Sequence, residues 1–576
     1  MGTKSLALGA VLVLAVASCA SPPSAPASRQ GEQAAPAAVK MPQRTLMIIV
    51  REELPSLAAK PIVGFSGSLD PPKRIFNGTL DFVDEQEKSQ PYLAEALPQL
   101  NTDSWRVFPD GRMETVHRLR PNLKWHDEIP LSADDFVFGW KVYSTPEVGV
   151  SGSKPIQQME EVVAPDPRTV VIRWKVPFPD ADRMDQLFQA LPRHALEEPF
   201  KSVALGDSMS FANHPFWTVD YVGLGPYKVE RIEPGAYLEA SAFDHHALGR
   251  PKIDRIQLRP ISDPNTALAT MLSGDGHFIA DFILDYDGGV TLEREWAARG
   301  NPGTVFFAPV LFREIQIQFR PEFVNPKALQ DVRVRRALAH GLDVPGALEV
   351  FTGPHGVATN TLTSPRADHY PAIEQAITKR PYDIQTGQRL LEEAGYNRGS
   401  DGIYGSPSGE RLHLEVWTTG GAVFERENRI FVDSLRQIGV DAVPQALGTA
   451  RLRDAEFRAK VPGFFVAGSG NERLAEYTMD AVARPENRWQ GNNRGGWESP
   501  EYQRLFLAHA GTLDKAERIR QLAGMERVLN EDVGAIPLYF TVVITANVGN
   551  LKGPVARMTP DAPLAVNYTW LWEWTS

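Results

Sequence analysis

An α/β architecture with more than one domain is what this chain predicts, on three observations. Its 576 residues exceed the roughly 250–300 at which a single hydrophobic core stops growing. Leu412-His413-Leu414-Glu415-Val416-Trp417 alternates like a half-buried strand, Ile430 to Ile438 has helical spacing ended by Gly439, and Val440 to Val443 reads as a second strand. Strand, helix and strand in that order imply a parallel pair joined by a crossover. Capped helices and short apolar strands alternate through the rest of the chain, without a tandem repeat or an internal low-complexity stretch.

At the start, Lys4 precedes an apolar run from Leu6 to Val16, shorter than the roughly 20 residues that span a bilayer. It ends in Val16-Ala17-Ser18-Cys19, which resembles the lipobox of a bacterial lipoprotein signal peptide, so residues 1–18 are expected to be removed and Cys19 lipidated. Cys19 is the only cysteine; the body of the chain therefore has no intrachain disulfide, zinc-thiolate cluster or cysteine nucleophile. Residues 19–43 are rich in Pro, Ala and Ser and predict a disordered tether.

Thr45-Leu46-Met47-Ile48-Ile49-Val50 has the length of a buried strand, with the turn-rich Gly64 to Pro71 some way behind it. Pro109-Asp110-Gly111 reads as a turn between two strands, since Asp-Gly supplies a positive φ. Ser132 and Asp135 form a capping box ahead of Phe136, Val137, Phe138 and Trp140. Asp331 to Ala339 places Val334 and Leu338 on one helical face, and Asp343 with Pro345 opens the next helix. Asp383 caps a further helix carrying Leu390 and Leu391, closed at Gly395.

The net charge of −11 and pI near 5.7 argue against nucleic acid as a partner, because nucleic-acid binding needs a basic face. No His-Glu-x-x-His occurs; Asp244-His245-His246 holds the one adjacent histidine pair, whose side chains would point apart on a strand, and a loop role fits it better than metal ligation. Gly64 to Ser68 and Gly149 to Ser153 lack the last glycine of a hydrolase nucleophile elbow. There is no phosphate loop, and Pro226 disqualifies Gly223-Leu224-Gly225 as a dinucleotide turn. Carboxylate pairs are plentiful but none is singled out. No catalytic residue, metal or cofactor is expected. Of the twelve tryptophans, Trp105, Trp125 and Trp140 read as core, whereas Trp417, Trp489 and Trp497 lie in or beside loops where they could meet a ligand.

Gly223-Leu224-Gly225-Pro226-Tyr227-Lys228-Val229, the stretch on to Ile256, and Pro264 to Asp275 resemble the family 5 solute-binding proteins of ABC importers. Leu69-Asp70-Pro71, the segment Pro91 to Lys141, the Asp331 helix and the closing Ala535-Ile536-Pro537-Leu538-Tyr539-Phe540 extend the resemblance in order along the chain. It implies a two-lobed periplasmic-binding-protein type II fold. Lobe one would comprise 44–78, 222–311 and 534–576, with an inserted domain at 79–221, and lobe two would be 312–533. It also implies capture of a peptide or other small polar or anionic solute in the cleft, delivery to ABC permease subunits, a monomeric state, and no bond made or broken. An extracellular hydrolase, or a sensing or adhesion lipoprotein on the same scaffold, are the alternatives.

The cleft residues this implies are Phe65 and Ser66 after the first strand, then Arg320, Trp417 and Thr418, and finally Phe465, Ser469, Asn471, Arg473, Trp489 and Arg494. Peptide binders of the family hold the ligand's α-amine with an aspartate in an Asp-Tyr-Pro-Asp-Pro-like segment. The matching stretch here runs from Phe464 to Arg473, with Ser469 and Asn471 where that carboxylate is expected, although Glu472 would restore one if the register shifted. Because an unpaired buried ammonium costs several kcal/mol, a ligand other than an ordinary free-amine peptide is expected. Arg473 and Arg494 would fork onto it while Trp417 or Trp489 stacks. At the other end of the chain, Cys19→Ser is expected to move the protein from the membrane to the soluble fraction on ultracentrifugation; unchanged partitioning would refute lipidation there.

Overall fold

The computed structural model describes residues 45–54, 56–58, 73–148, 155–184, 188–300, 303–469, 473–560 and 564–575. The lipobox, the tether, Phe65, Ser66, Asn471 and Glu472 lie outside the described residues.

Eleven strands form the central sheet: β1 Thr45–Val50, β2 Tyr227–Glu233, β3 Tyr237–Ala242, β4 Arg255–Pro260, β5 Phe278–Ile279, β6 Thr304–Ile317, β7 Val357–Ala358, β8 His413–Thr419, β9 Asp441–Leu447, β10 Phe464–Ser469 and β11 Ala535–Asn547. Their order is β9-β8-β10-β6-β11-β5-β1-β4-β3-β2, with β7 added beside β11. At one end β8 runs parallel to both β9 and β10, and at the other β1 runs parallel to β4 and β5. Crossover helices make these pairs possible: Pro264–Ser273 links β4 to β5, and Ala422–Gln437 links β8 to β9. The second begins eight residues before the periodicity from Ile430 suggests, because its first turns turn polar side chains inward. Glu427 and Asn428 are buried there, and Asn428 donates to the Val416 and Gln445 carbonyls.

Other local expectations are met by their local chemistry. Gly111 takes a φ of +86° in the turn between antiparallel strands Trp105–Val107 and Met113–Arg118. The Asp135 carboxylate accepts the Ser132 N–H at 2.9 Å ahead of helix Ala133–Ser144. Asp331, Asp343 and Asp383 each cap the helix that follows, and Gly395 has a φ of +93°.

The two halves of the sheet are joined by β6 and β11. These antiparallel strands pair from Thr304↔Asn547 to Gln316↔Ala535, with register shifts at Pro309/Leu311 and Arg313/Glu314. One apolar core surrounds β1, β4 and β5 and includes Leu46, Ile48, Ile256, Phe278 and Trp572. Another surrounds β8 and β10, with Val334, Leu338, Val416, Phe431 and Phe464. A third lies within residues 58–224 around a four-stranded antiparallel sheet and helix Ala133–Ser144, and contains Trp105, Trp125, Phe136 and Trp174. Between the first two, midway along β6 and β11, Ala308, Val310 and Val543 form a small cluster of their own.

Immediately beyond that cluster sits a buried ion pair. Arg313 on β6 forks onto Glu427 of the crossover helix, Nε to Oε1 at 3.0 Å and a terminal nitrogen to the other oxygen, and the Tyr539 hydroxyl of β11 donates to the same carboxylate. Phe424 lies under the guanidinium at 5.2 Å. Removing one member of such a pair strands a charge in the core, so Glu427→Ala is expected to lose about 3–5 kcal/mol in urea unfolding. Replacing both Arg313 and Glu427 with methionine should recover much of that loss. A single variant as stable as the parent would show that the pair has no such role.

Candidate functional site

β6 carries Glu-Ile-Gln-Ile-Gln from Glu314 to Gln318, so its alternation sends Ile315 and Ile317 into one core and turns Glu314 and Gln316 to the other face. On that face Glu314 stands opposite Ala467 and Gln316 opposite Phe465 of β10. Trp417 stands opposite Phe465 from β8. The start of β10 thus lies between β8 and the last residues of β6.

Two segments cover this face. The first carries the short helix Ala455–Ala459, whose Phe457 meets Trp417 edge-on at 5.9 Å, while the Trp417 indole donates to Glu415 at 2.8 Å. The second runs from Arg473 to Trp497. Its loop approaches β6 so closely that a Cβ on Gly495 would lie 1.9 Å from the Ile317 carbonyl oxygen, and the Gly495 carbonyl accepts the Phe319 N–H at 2.8 Å. Asn493 holds the turn from within, accepting the Gly496 and Trp497 N–H groups at 3.1 Å and donating to the Trp497 carbonyl at 2.7 Å.

Arg320 fastens the two segments together. It donates to the Ala459 and Arg494 carbonyls at 2.7 Å each and to the Ala483 carbonyl at 2.6 Å. Trp489, in a left-handed conformation with φ +61°, lies 5.9 Å from that guanidinium and 5.1 Å from the Lys460 ammonium. Arg320 and Trp489 are therefore engaged by the scaffold.

The two arginines expected to hold a ligand part company. Arg473 is buried, donates to the Leu362 carbonyl at 2.8 Å and lies 5.6 Å from the rings of both Phe312 and Phe540. Nearby, Glu526 accepts from the Leu362 and Thr363 N–H groups and the Thr363 hydroxyl, and burial pushes its carboxyl pKa up. Arg494 is partly buried, and among the described residues its guanidinium has no hydrogen bond or ion pair. Burial draws its pKa down to about 10, which leaves it a cation at neutral pH.

Thr418 faces the core with its hydroxyl 3.5 Å from the Val466 carbonyl, and Trp497 is likewise core, donating to Asp532 at 2.6 Å. Phe465 is paired with Gln316 on one side and Trp417 on the other, while residue 469 is opposite Phe312. His246, from the histidine pair, bonds Tyr92 at 2.8 Å and the Gly249 carbonyl at 2.7 Å.

Four polar residues here escape reading from sequence: Glu314, Gln316, Tyr477 and Arg458. Tyr477 donates to Glu314 at 2.5 Å and Gln316 donates to its other oxygen at 3.1 Å. Burial pushes the Glu314 pKa up, against the pull of these two bonds. The polar alternation of Glu314, Gln316 and Gln318 within an apolar strand was the available signal. A separate cavity of about 350 Å³ beside the ends of β1 and β4 is lined chiefly by apolar residues such as Leu54, Leu57, Leu238 and Leu258, and by none of the residues singled out above.

Residues 95–487 match the model of the bacterial extracellular solute-binding proteins, family 5. The chain belongs to that family. Among relatives of this family 5 protein is a Brucella ovis protein named as an ABC transporter peptide-binding protein, 26% identical over 354 residues, or 60% of this chain. That match spans 59% of the relative's own length. The Escherichia coli glutathione-binding protein GsiB is 24% identical over 466 residues, 79% of this chain and 83% of GsiB. Among solved structures, NikZ from Campylobacter jejuni, in complex with Ni(L-His), superposes with a TM-score of 0.71 at 22% identity, covering 92% of this chain and 100% of NikZ. The family 5 fold is thus the two-lobed type II periplasmic-binding-protein fold.

Arg320→Ala, which deletes the clamp, is expected to accelerate hydrogen exchange in residues 455–462 and 483–494 while leaving β1 and β4 unchanged. Equal protection in both segments would refute the clamp.

Proposed function

We propose that the protein is the solute-binding subunit of an ABC importer, a lipoprotein tethered through Cys19 on the outer side of a membrane. It captures a small polar or anionic solute between its lobes and presents it to membrane permease subunits. The proposed bodies are lobe one (44–78, 222–311, 534–576), an inserted domain (79–221) and lobe two (312–533), acting as a monomer. No bond is made or broken.

The observation that carries this reading is the set of polar groups around Arg494, beside the last residues of β6 and the start of β10. Groups left unpaired in the protein can pair with a solute, and burial of that solute requires such pairing. Separate apolar cores on either side of a ladder with a small cluster at its middle suit closure about β6 and β11. Contacts made from both sides exist only in the closed state, so the solute's differential affinity drives the closure. The names of the relatives, which cover peptide and glutathione binding, support a small polar cargo.

Mass spectrometry of what co-purifies should identify the solute. Added back at a hundredfold excess over Kd, it should stabilise the fold by about 2.7 kcal/mol and reduce the radius of gyration in small-angle scattering. An unchanged radius together with chemical turnover of the solute would overturn the proposal in favour of a hydrolase.

A further inference from the structure

Three polar groups on the β6 and β10 face lack partners among the described residues. Gln316 Oε1 is buried with no donor, although its Nε2 is committed to Glu314. Arg458 Nε is buried with no acceptor, and the rest of its guanidinium makes no hydrogen bond or ion pair. Arg494 is likewise without an acceptor.

These groups belong to one place. The Arg320 guanidinium binds the carbonyl of Ala459, next in the chain to Arg458, and the carbonyl of Arg494 itself, each at 2.7 Å. Gln318, two residues along β6 from Gln316, donates to the same Ala459 carbonyl at 2.9 Å. Arg458 also lies close enough to Arg494 to add to the effect of burial in disfavouring its charge.

Three carboxylates lie close by: Asp454 favours the charge on Arg458 but is spent as a helix cap, accepting the Phe457 N–H at 3.0 Å. Glu314 has its oxygens occupied by Tyr477 and Gln316, and Glu476 is engaged elsewhere; neither pairs with Arg458 or Arg494. None of these carboxylates is hydrogen-bonded to either guanidinium, and an oxyanion that reaches both would supply the charge-assisted hydrogen bonds they lack among the described residues.

We propose that Arg458 and Arg494 together bind the anionic group, carboxylate or phosphate, of the solute, that Gln316 Oε1 accepts an N–H or O–H from the same molecule, and that Arg320 is the residue that positions the pair. This rests on the solute-binding reading and names its ligand class: a small acid carrying a hydrogen-bond donor near its anionic group. Phe465 and Trp417 offer the apolar wall beside it.

The test uses full-length protein stripped of ligand by unfolding and refolding. It is incubated with an equimolar mixture of small carboxylic acids, organic phosphates, neutral sugars and free-amine dipeptides, and whatever is retained after desalting is identified by mass spectrometry. The retained compound is expected to be an acid or a phosphate, which distinguishes the two anions. Arg458→Met and Arg494→Met should each retain it at least about tenfold less, with unchanged circular dichroism, and Arg494→Lys should fall between. Retention of a neutral or cationic compound, or equal retention by wild type and both variants, overturns this inference and leaves solute capture standing. Retention of nothing by the wild type overturns both. If a variant misfolds, the methyl ester of the retained acid, or the dephosphorylated form of a retained phosphate, is titrated against the wild type; binding as tight as that of the parent anion overturns the inference.

Discussion

The pairing of β6 with β11 is the constraint on which the rest of the molecule depends. Each strand carries backbone donors and acceptors that must be satisfied where they are buried, and the ladder from Thr304↔Asn547 to Gln316↔Ala535 does this for both at once. Its ends seed different halves of the sheet. Near Asn547 it is extended by β5 and then β1, whereas past Phe312 it is extended by β10 and then β8. The parallel strands on each side pair with one another, and the ladder joins the two groups into one sheet, through β5 on β11 and β10 on β6. One of its register shifts falls at Pro309/Leu311, beside the small side chains of Ala308, Val310 and Val543, and the other at Arg313/Glu314 beside the buried ion pair.

Charge is handled differently on the two faces of β6. On the core side Arg313 is fully answered by Glu427 and Tyr539, which pins the crossover helix to the ladder. On the other side Glu314 is answered by neutral donors, and Arg320 holds the backbone carbonyls of Arg494 and of Ala459, the residue after Arg458, while both arginine side chains are left without a hydrogen bond among the described residues. A scaffold that fixes main chain while leaving guanidinium groups uncommitted is organised for recognition at little entropic cost on binding. The strained φ values at Arg488 and Trp489 belong to the same loop and help it return sharply toward β6.

Much of the framework was legible because local chemistry and tertiary role agree there. The alternation at His413–Thr419, the aspartate caps and the Gly395 stop mean the same thing in isolation as in the fold. The helix starting at Ala422 was legible only from Ile430, since Glu427 and Asn428 occupy inward positions that an apolar count treats as outward. The closing strand was visible to Phe540 but continues to Asn547, because its extension is stabilised by pairing with residues more than two hundred positions away. The site was less readable still. An arginine bound to three distant carbonyls looks, in sequence, like one awaiting a ligand; Arg320 is the first kind and Arg494 the second, and only the positions of Ala459, Ala483 and Gly495 separate them.

The register of the ladder has one more consequence. Gln316 and Ala535 are neighbours on adjacent strands, so the segment between them, which adds β7 to β10 to the same sheet, begins and ends at almost the same point. More than two hundred residues hang from a junction the width of one rung. Such a segment has its ends where a short turn could close them, which makes it exchangeable between related chains by two cuts without disturbing the strand order of what remains. Arg320, Arg458, Arg473 and Arg494 all fall inside it. Under the proposed binding role of Arg458 and Arg494, recombination of this one segment changes cargo preference while β1 to β5 are inherited intact.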